Sequence, residues 1–308
     1  MTHPNPQNPL VLVPGDYAGY DRRAKNSFDR KPGMSMLAVE QILTIILYLT
    51  AAAMLWRRLR LLQLDESYPG LRKPVALVAL IGLISHILTV YPGLTAAGEL
   101  QLGLTAAGSV VAATVIALYL VAYLIKPVEN LGLLLLPISA LAVAAHWGWP
   151  GANVMITTTP LSTLHIAVSI LAYGLLAIAA SQSILLLFQE HLLRQHQPGG
   201  VMRALPPLLA VEHLMFQLIA IGFVLLTLTL ISGIFFSEQV FGEAFKFSHH
   251  IVLSIAGWAV FAVLLLGRWR LGWRGKVASS WTLTGFGLLL LAYFGTKFVS
   301  EVLLKRVG

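Results

Sequence analysis

LSTLHIAVSILAYGLLAIAASQSILLLF, residues 161–188, decides the fold. The run has the length and apolarity of a helix that crosses a bilayer, for which about 20 residues suffice. It also carries His165 near its first turn, with Ser162 and Ser169 at i−3 and i+4 and Tyr173 about one turn beyond on nearly the same face. An imidazole in lipid is costly, so a spanning helix that keeps one usually buries it against a partner. A narrow polar stripe on a Leu, Ile, Val and Ala helix is therefore the main functional clue.

The whole chain repeats that apolar character. Of its 308 residues 57% are hydrophobic and only 11% charged. A soluble domain would carry about 25% charged residues, so the chain is read as all-α, a polytopic membrane bundle of about eight transmembrane helices. The apolar segments run roughly over 37–56, 75–94, 104–125, 131–147, 161–188, 214–236, 250–267 and 281–303. Residues 1–35 form a polar tail expected to be disordered, or to precede the true start at Met34 or Met36, and residues 36–304 form the membrane domain. The first apolar run begins only near Leu37 and is long enough to span, so no cleavable signal sequence is expected.

The net charge of +8 does not point to nucleic acid, because the basic residues cluster between apolar segments. Twelve of the 21 Lys and Arg residues fall in the first, third, fifth and seventh connections, whereas the second, fourth and sixth hold only Lys246. By the positive-inside rule the odd connections are cytoplasmic and both termini lie outside; the basic N-terminal tail argues the other way and is given less weight. The absence of cysteine excludes disulfides, thiolate metal sites and thioether attachment of haem to this chain.

In this orientation His86, His146, His165, His249 and His250 all fall at or near the outer leaflet. Each has a plain reading. His165 can be a structural histidine bonded across helices through Ser162 or a neighbour, His146 an interfacial residue beside Trp147 and Trp149, and His249 and His250 wet interfacial residues. Each also has a functional reading, since ionisable groups at membrane depth tend to serve an ion or cofactor. Zinc favours several N or S ligands in close local pairs such as HxxxH, and no such pair lies within a helix here. Haem needs one or two imidazoles from separate helices and a wide apolar slot, for which Tyr91, Trp147, Trp149, Phe235, Phe236, Phe245 and Phe247 are available. No nucleotide-binding loop, nucleophile elbow or carboxylate pair is visible, so an enzyme is not expected. Glu40 and Glu212 are single acids at segment boundaries, expected to cap a helix or pair with a base. The Gly–Trp–Arg–Gly of residues 272–275 reads as an anchor on the cytoplasmic side.

LHIAVSILAYGLLAIAASQSILLLFQEHLL (164–193), VEHLMFQLIAIGFVLLTLTLISGIFF (211–236), HHIVLSIAGWAVFAVLLLGRWRLGWRGKVA (249–278) and TGFGLLLLAYFGTKFV (284–299) resemble, in order and spacing, blocks of the cytochrome c assembly family of the CcsA and CcmC type. Within it the likeness is to the smaller YpjD-like branch of about eight spans, over about residues 36–304. The resemblance implies a multi-pass protein of the bacterial inner membrane that binds or handles haem at its outer face. His165, separated by seven residues from Tyr173, matches the family's periplasmic-side histidine, and His86 and His249 match histidine positions of that branch. Haem iron held by His165 with His86 or His249 is what the resemblance implies, with haem b as cofactor and other cytochrome assembly components as possible partners besides the lipid bilayer. The chain departs from the family in lacking the tryptophan-rich haem-presenting segment, where SEQVFGEAFKFSH stands instead, and a histidine after the last span. Haem binding without ligase activity is the expectation that follows. A transport or divalent-metal-tolerance accessory is the competing reading, weakened by the scarcity of embedded carboxylates. A purely structural partner subunit is the third.

Overall fold

Leu124, Ile125 and Trp269 stand exposed on the surface of this chain, while Ala51, Ala79, Ala172 and Ala179 are fully buried. This is the pattern of a helix bundle in lipid. Large apolar side chains face the acyl chains, and small residues let the backbones approach. The structure, a computed structural model, describes residues 33–64, 70–94, 100–149, 155–156, 159–195, 205–241, 249–299 and 303. The expectations for the N-terminal tail, and for Phe245 and Phe247, lie outside the described residues. The side chains of Phe235 and Phe236 lie outside them as well. Two compact units divide the chain between Val39 and Glu40. Of the first, only the opening turns of a helix are described; everything below concerns the second.

Among the described residues eight helices are long and apolar enough to cross a membrane, as the sequence leads one to expect. They are α1 (Gly33–Leu64), α2 (Arg72–Leu94), α3 (Leu104–Ile125), α4 (Gly132–Gly148), α5 (Pro160–Arg194), α6 (Leu208–Phe241), α7 (His249–Leu271) and α8 (Gly275–Leu290). A π-helical turn at Leu291–Gly295 and a last helical turn at Thr296–Phe298 extend α8. Several helices outrun the apolar segments at their basic ends. α1 carries Arg57, Arg58 and Arg60 inside its final turns, and α5 runs on to Arg194. Arg and Lys are good helix formers, and their long stems let the charge reach water while the backbone stays helical. The apolar run alone therefore underestimates the helix.

α5 is the shared wall of the bundle. Its Ile178 joins the apolar core built by α1–α4, with Tyr48, Ile116, Tyr119 and Leu136. Its Ala172, Leu176 and Ala179 join the core of α6–α8, with Met215, Ile219, Phe261 and Leu289. It packs directly on α3, α6 and α8, and it is the most buried of the spans. Close approach to α6 depends on Gly222, where a Cβ would sit 2.8 Å from Leu176 Cδ2.

The two ends of the bundle differ in chemistry. At the basic end Glu129, in the short helical turn before α4, binds Arg58 of α1 at 2.6 Å and Arg72 of α2 at 3.2 Å. Arg72 and Tyr123 exchange two further bonds there, each to the other's backbone carbonyl. Glu212 of α6 likewise binds Arg268 of α7 at 2.7 Å and Arg274 at 3.3 Å, and it accepts from the Gly275 backbone N–H. Each half of the bundle thus gathers its helix ends around one carboxylate held by two guanidiniums. The expectation that Glu212 pairs with a base holds, and Arg274 of the Gly–Trp–Arg–Gly turn supplies part of that pair. Trp273 of the same turn folds back onto Gly267 and stacks near Trp281, so it packs against the protein as well as marking the boundary. At the opposite end, β1 (Leu100–Gln101) and β2 (Met155–Ile156) pair antiparallel and tie two connections together.

Candidate functional site

The polar stripe of α5 is resolved into separate jobs. Ser162 does not serve His165. It closes a capping box with Thr159, its backbone N–H donating to Thr159 Oγ1 while the Thr159 backbone N–H donates to Ser162 Oγ. That use follows from Pro160 at the first helical position, which starts the helix here and leaves the free N–H groups of the first turn to be satisfied. His165, one turn further in and half-buried, bonds across to α6 instead, with Nδ1 2.7 Å from Ser232 Oγ. Ser169 donates to the His165 carbonyl at 2.7 Å and lies 3.4 Å from Thr229 Oγ1. Tyr173 donates to the Leu289 carbonyl of α8.

These partners come from α6 and α8, where the sequence gives a faint signal. Thr229 and Ser232 are three apart in LLTLTLISG, so they share a face of α6, and Gly233 next to them brings no side chain. A Cβ at Gly233 would lie 3.5 Å from His165 Cε1, an ordinary contact distance, so this glycine stands directly beside the ring. On α8 the π-helical turn places Tyr293 edge-on to both Tyr173 and Phe294, with centroids 6.3 and 5.1 Å apart. π-helical turns recur at functional sites because the extra residue re-aims side chains. Lys297 stands with Nζ 5.6 Å from the Tyr293 ring centre and donates to the Leu102 carbonyl, joining the end of α8 to the start of α3. Sequence reasoning missed Ser232 as the partner of His165, Thr229 as that of Ser169 and Tyr293 as that of Tyr173, since each lies on another helix.

His86 occupies a different setting. It is fully buried on α2, with Nδ1 3.1 Å from Tyr48 Oη of α1 and Nε2 2.8 Å from Ser109 Oγ of α3. Tyr48 also meets its ring edge-on. One turn away on the α1 side, Thr44 Oγ1 and Ser85 Oγ lie 2.7 Å apart. Both ring nitrogens are thus engaged, and one hydroxyl holds each. His249 is the first residue of α7 and is exposed. His146 lies 3.4 Å from Thr105 Oγ1, which itself donates to the Trp149 carbonyl, so the two residues of the expected aromatic belt share one hydroxyl. The three predicted ligands therefore stand on three helices: His86 is bonded to α1 and α3, His165 to α6, and His249 is at a helix start.

Among the described residues no three His, Cys, Asp or Glu side chains gather closely enough to hold a metal ion. The arrangement offers single imidazoles oriented by hydroxyls, and Glu129 and Glu212 are committed to arginines at the far end.

Comparison with known proteins agrees with this architecture. The family model described as cytochrome C assembly protein matches residues 74–304. Inner membrane protein YpjD of Escherichia coli strain K12 is 31% identical over 241 residues, which cover 76% of this chain and 89% of that one. Protein HemX of Brevibacillus brevis is 27% identical over 140 residues, 46% of this chain and 52% of its own length. Cytochrome c biogenesis protein CcsA of Chlamydomonas reinhardtii is 26% identical over 138 residues, 45% of this chain and 38% of its own. With eight spans built around α5, the chain belongs to the cytochrome c assembly family and is a multi-pass protein of the inner membrane.

Proposed function

We propose that this protein binds haem in the half of the bundle opposite the basic end, with His165 as the principal iron ligand, and that it does so without ligase activity. The observation that carries the reading is the His165–Ser232 pair. An imidazole that ligates a metal through one nitrogen is usually oriented by a hydrogen bond at the other, and Ser232 supplies that bond at Nδ1. This assigns Nε2 to the iron. Gly233 beside the ring, and further along α5 the cluster of Tyr173 with Tyr293 and Phe294 from the end of α8, are small and aromatic residues of the kind that line a porphyrin slot.

The second axial position falls to His249 or His86. His249 stands exposed at the start of α7 and pays little to reorient. His86 would have to give up its bond to Ser109 or to Tyr48, which disfavours it as a ligand and favours it as a buried structural histidine. The family and the relatives named HemX and CcsA support a haem-related role, and the cysteine-free chain makes non-covalent haem b the form expected. A binding role is the reading taken for a site whose described residues centre on one oriented imidazole.

The test is a visible spectrum of the protein purified in detergent from haem-replete cells. A Soret band that is lost in His165→Ala and kept in His191→Ala is the expected result. A colourless protein after haem supply, or a His165→Ala variant with the full band, rejects the proposal. The divalent-metal accessory is the second reading, and the lack of any three-ligand cluster among the described residues speaks against it.

A further inference from the structure

The turn that joins α7 to α8, LGWRG at 271–275, returns one indole to the helix it has just left. Gly272 and Gly275 stand at φ +67° and +51°, left-handed conformations that glycine adopts without strain. The chain reverses there, and the Trp273 backbone N–H donates to the Gly267 carbonyl at 3.2 Å. Arg268 Nη1 donates in turn to the Trp273 carbonyl at 3.1 Å. The indole lies against Gly267, where a Cβ would overlap it. Beside this ring runs a groove of about 370 Å3, walled by Val263, Leu266, Leu271 and Trp273 and bordered by Arg270. Val263 to Leu271 covers about 12 Å of helix, and all three aliphatic side chains are exposed on the lipid-facing surface.

The charge around the groove has one sign. Arg270, Arg274 and Lys276 are all exposed, and no Asp or Glu occurs between residues 249 and 299. The Arg270 guanidinium rests 4.5 Å from the centre of the exposed Trp269 ring, which steadies a long side chain at the end of α7. The carboxylates that reach this turn from other helices are Glu212 and Glu190. Glu212 is held by Arg268 and Arg274, and Glu190 by Arg194. By the charge rule this end meets the cytoplasmic leaflet, whose anionic lipids are drawn to clustered Lys and Arg. An apolar groove alone would take any acyl chain, and cations alone any anion. Their union on the last turns of α7 calls for a molecule that carries both.

We propose that this groove seats one acyl chain of an anionic phospholipid from the cytoplasmic leaflet, with the headgroup phosphate accepting from Arg270. Guanidinium suits that task because its paired N–H groups match two phosphate oxygens. Arg274 and Lys276 add positive potential, and Trp273 forms the aromatic side of the slot. The site is separate from the haem reading and does not depend on it.

The experiment is native mass spectrometry of the full chain, delipidated in detergent and titrated with phosphatidylglycerol or phosphatidylcholine. Phosphatidylglycerol should be retained about fivefold over phosphatidylcholine, and Arg270→Gln should bring the two close to parity. Val263→Trp fills the groove and leaves every cation in place, and it should lower phosphatidylglycerol retention several-fold. Both positions are exposed, so neither variant removes core packing. Equal retention of the two lipids by the unaltered protein, or a preference unchanged in Arg270→Gln, overturns the proposal. Full retention in Val263→Trp reduces the effect to surface charge and overturns the groove. Displacement of phosphatidylglycerol by millimolar glycerol phosphate, which has no acyl chain, overturns it as well. His165→Ala should leave lipid retention unchanged, which separates this test from the haem spectrum.

Discussion

Nδ1 of His165 lies 2.7 Å from Oγ of Ser232, a bond that crosses from α5 to α6 and links residues 67 apart in sequence. It fixes the plane of the imidazole and leaves the orientation of the ring to α6 rather than to its own helix. Ser232→Ala should therefore keep the fold and weaken haem retention by about 10–100-fold, the usual cost of losing an outer partner of a ligating histidine. Titration of the apoprotein with haem, followed at the Soret maximum, measures it. Unchanged affinity in Ser232→Ala would make the bond a packing detail.

His86 and His165 should behave differently when removed. His86→Ala leaves Tyr48 Oη and Ser109 Oγ without their shared partner in a fully buried place, a loss of about 2–4 kcal/mol whether or not haem is supplied. His165→Ala, at a half-buried position bonded to the Ser232 hydroxyl, should cost the apoprotein about 1–2 kcal/mol and abolish stabilisation by added haem. Thermal unfolding in detergent with and without haem separates the two patterns.

The carboxylates at the basic end differ in what they hold. Glu129→Gln strips the largely buried Arg58 of its counter-charge, and a loss of about 3–5 kcal/mol is expected. Glu212→Gln should cost a similar amount, because its carboxylate is only 4% exposed and meets both Arg268 and Arg274. Glu190→Gln breaks an i,i+4 pair with the exposed Arg194 and should change stability by about 0.5 kcal/mol or less. Chemical unfolding midpoints of the three variants give the ranking.

Two glycines, one on α6 and one on α8, give opposite expectations. Gly222→Ala places a methyl 2.8 Å from Leu176 Cδ2 at the α5–α6 contact, and overpacking of about 1–3 kcal/mol follows unless Leu176 changes rotamer. Gly287→Ala on α8 meets nothing within 4 Å and should be neutral or stabilising by up to about 1 kcal/mol through helix propensity. Melting temperatures of the pair, measured side by side in one detergent, decide it.

The spans, their number and their alternation of charged ends follow from the sequence alone, because the price of exposing polar backbone to lipid forces each apolar run into a helix. The same reasoning locates His165 on a polar stripe and Glu212 beside a base. Other relationships are fixed only by tertiary packing. Ser162 is spent on the helix cap, which a stripe drawn along α5 does not reveal, and the true partner of His165 comes from α6. His86 is surrounded by Tyr48 and Ser109 from helices on either side of it, contacts invisible to a reading of α2. Trp273 looks like an ordinary boundary residue until the turn after α7 brings its ring back onto Gly267 beside a groove. The division has a physical reason. Transfer into lipid acts on each segment separately and is written in its composition, whereas hydrogen bonds between helices depend on rotation and depth, which packing sets only once all eight are assembled.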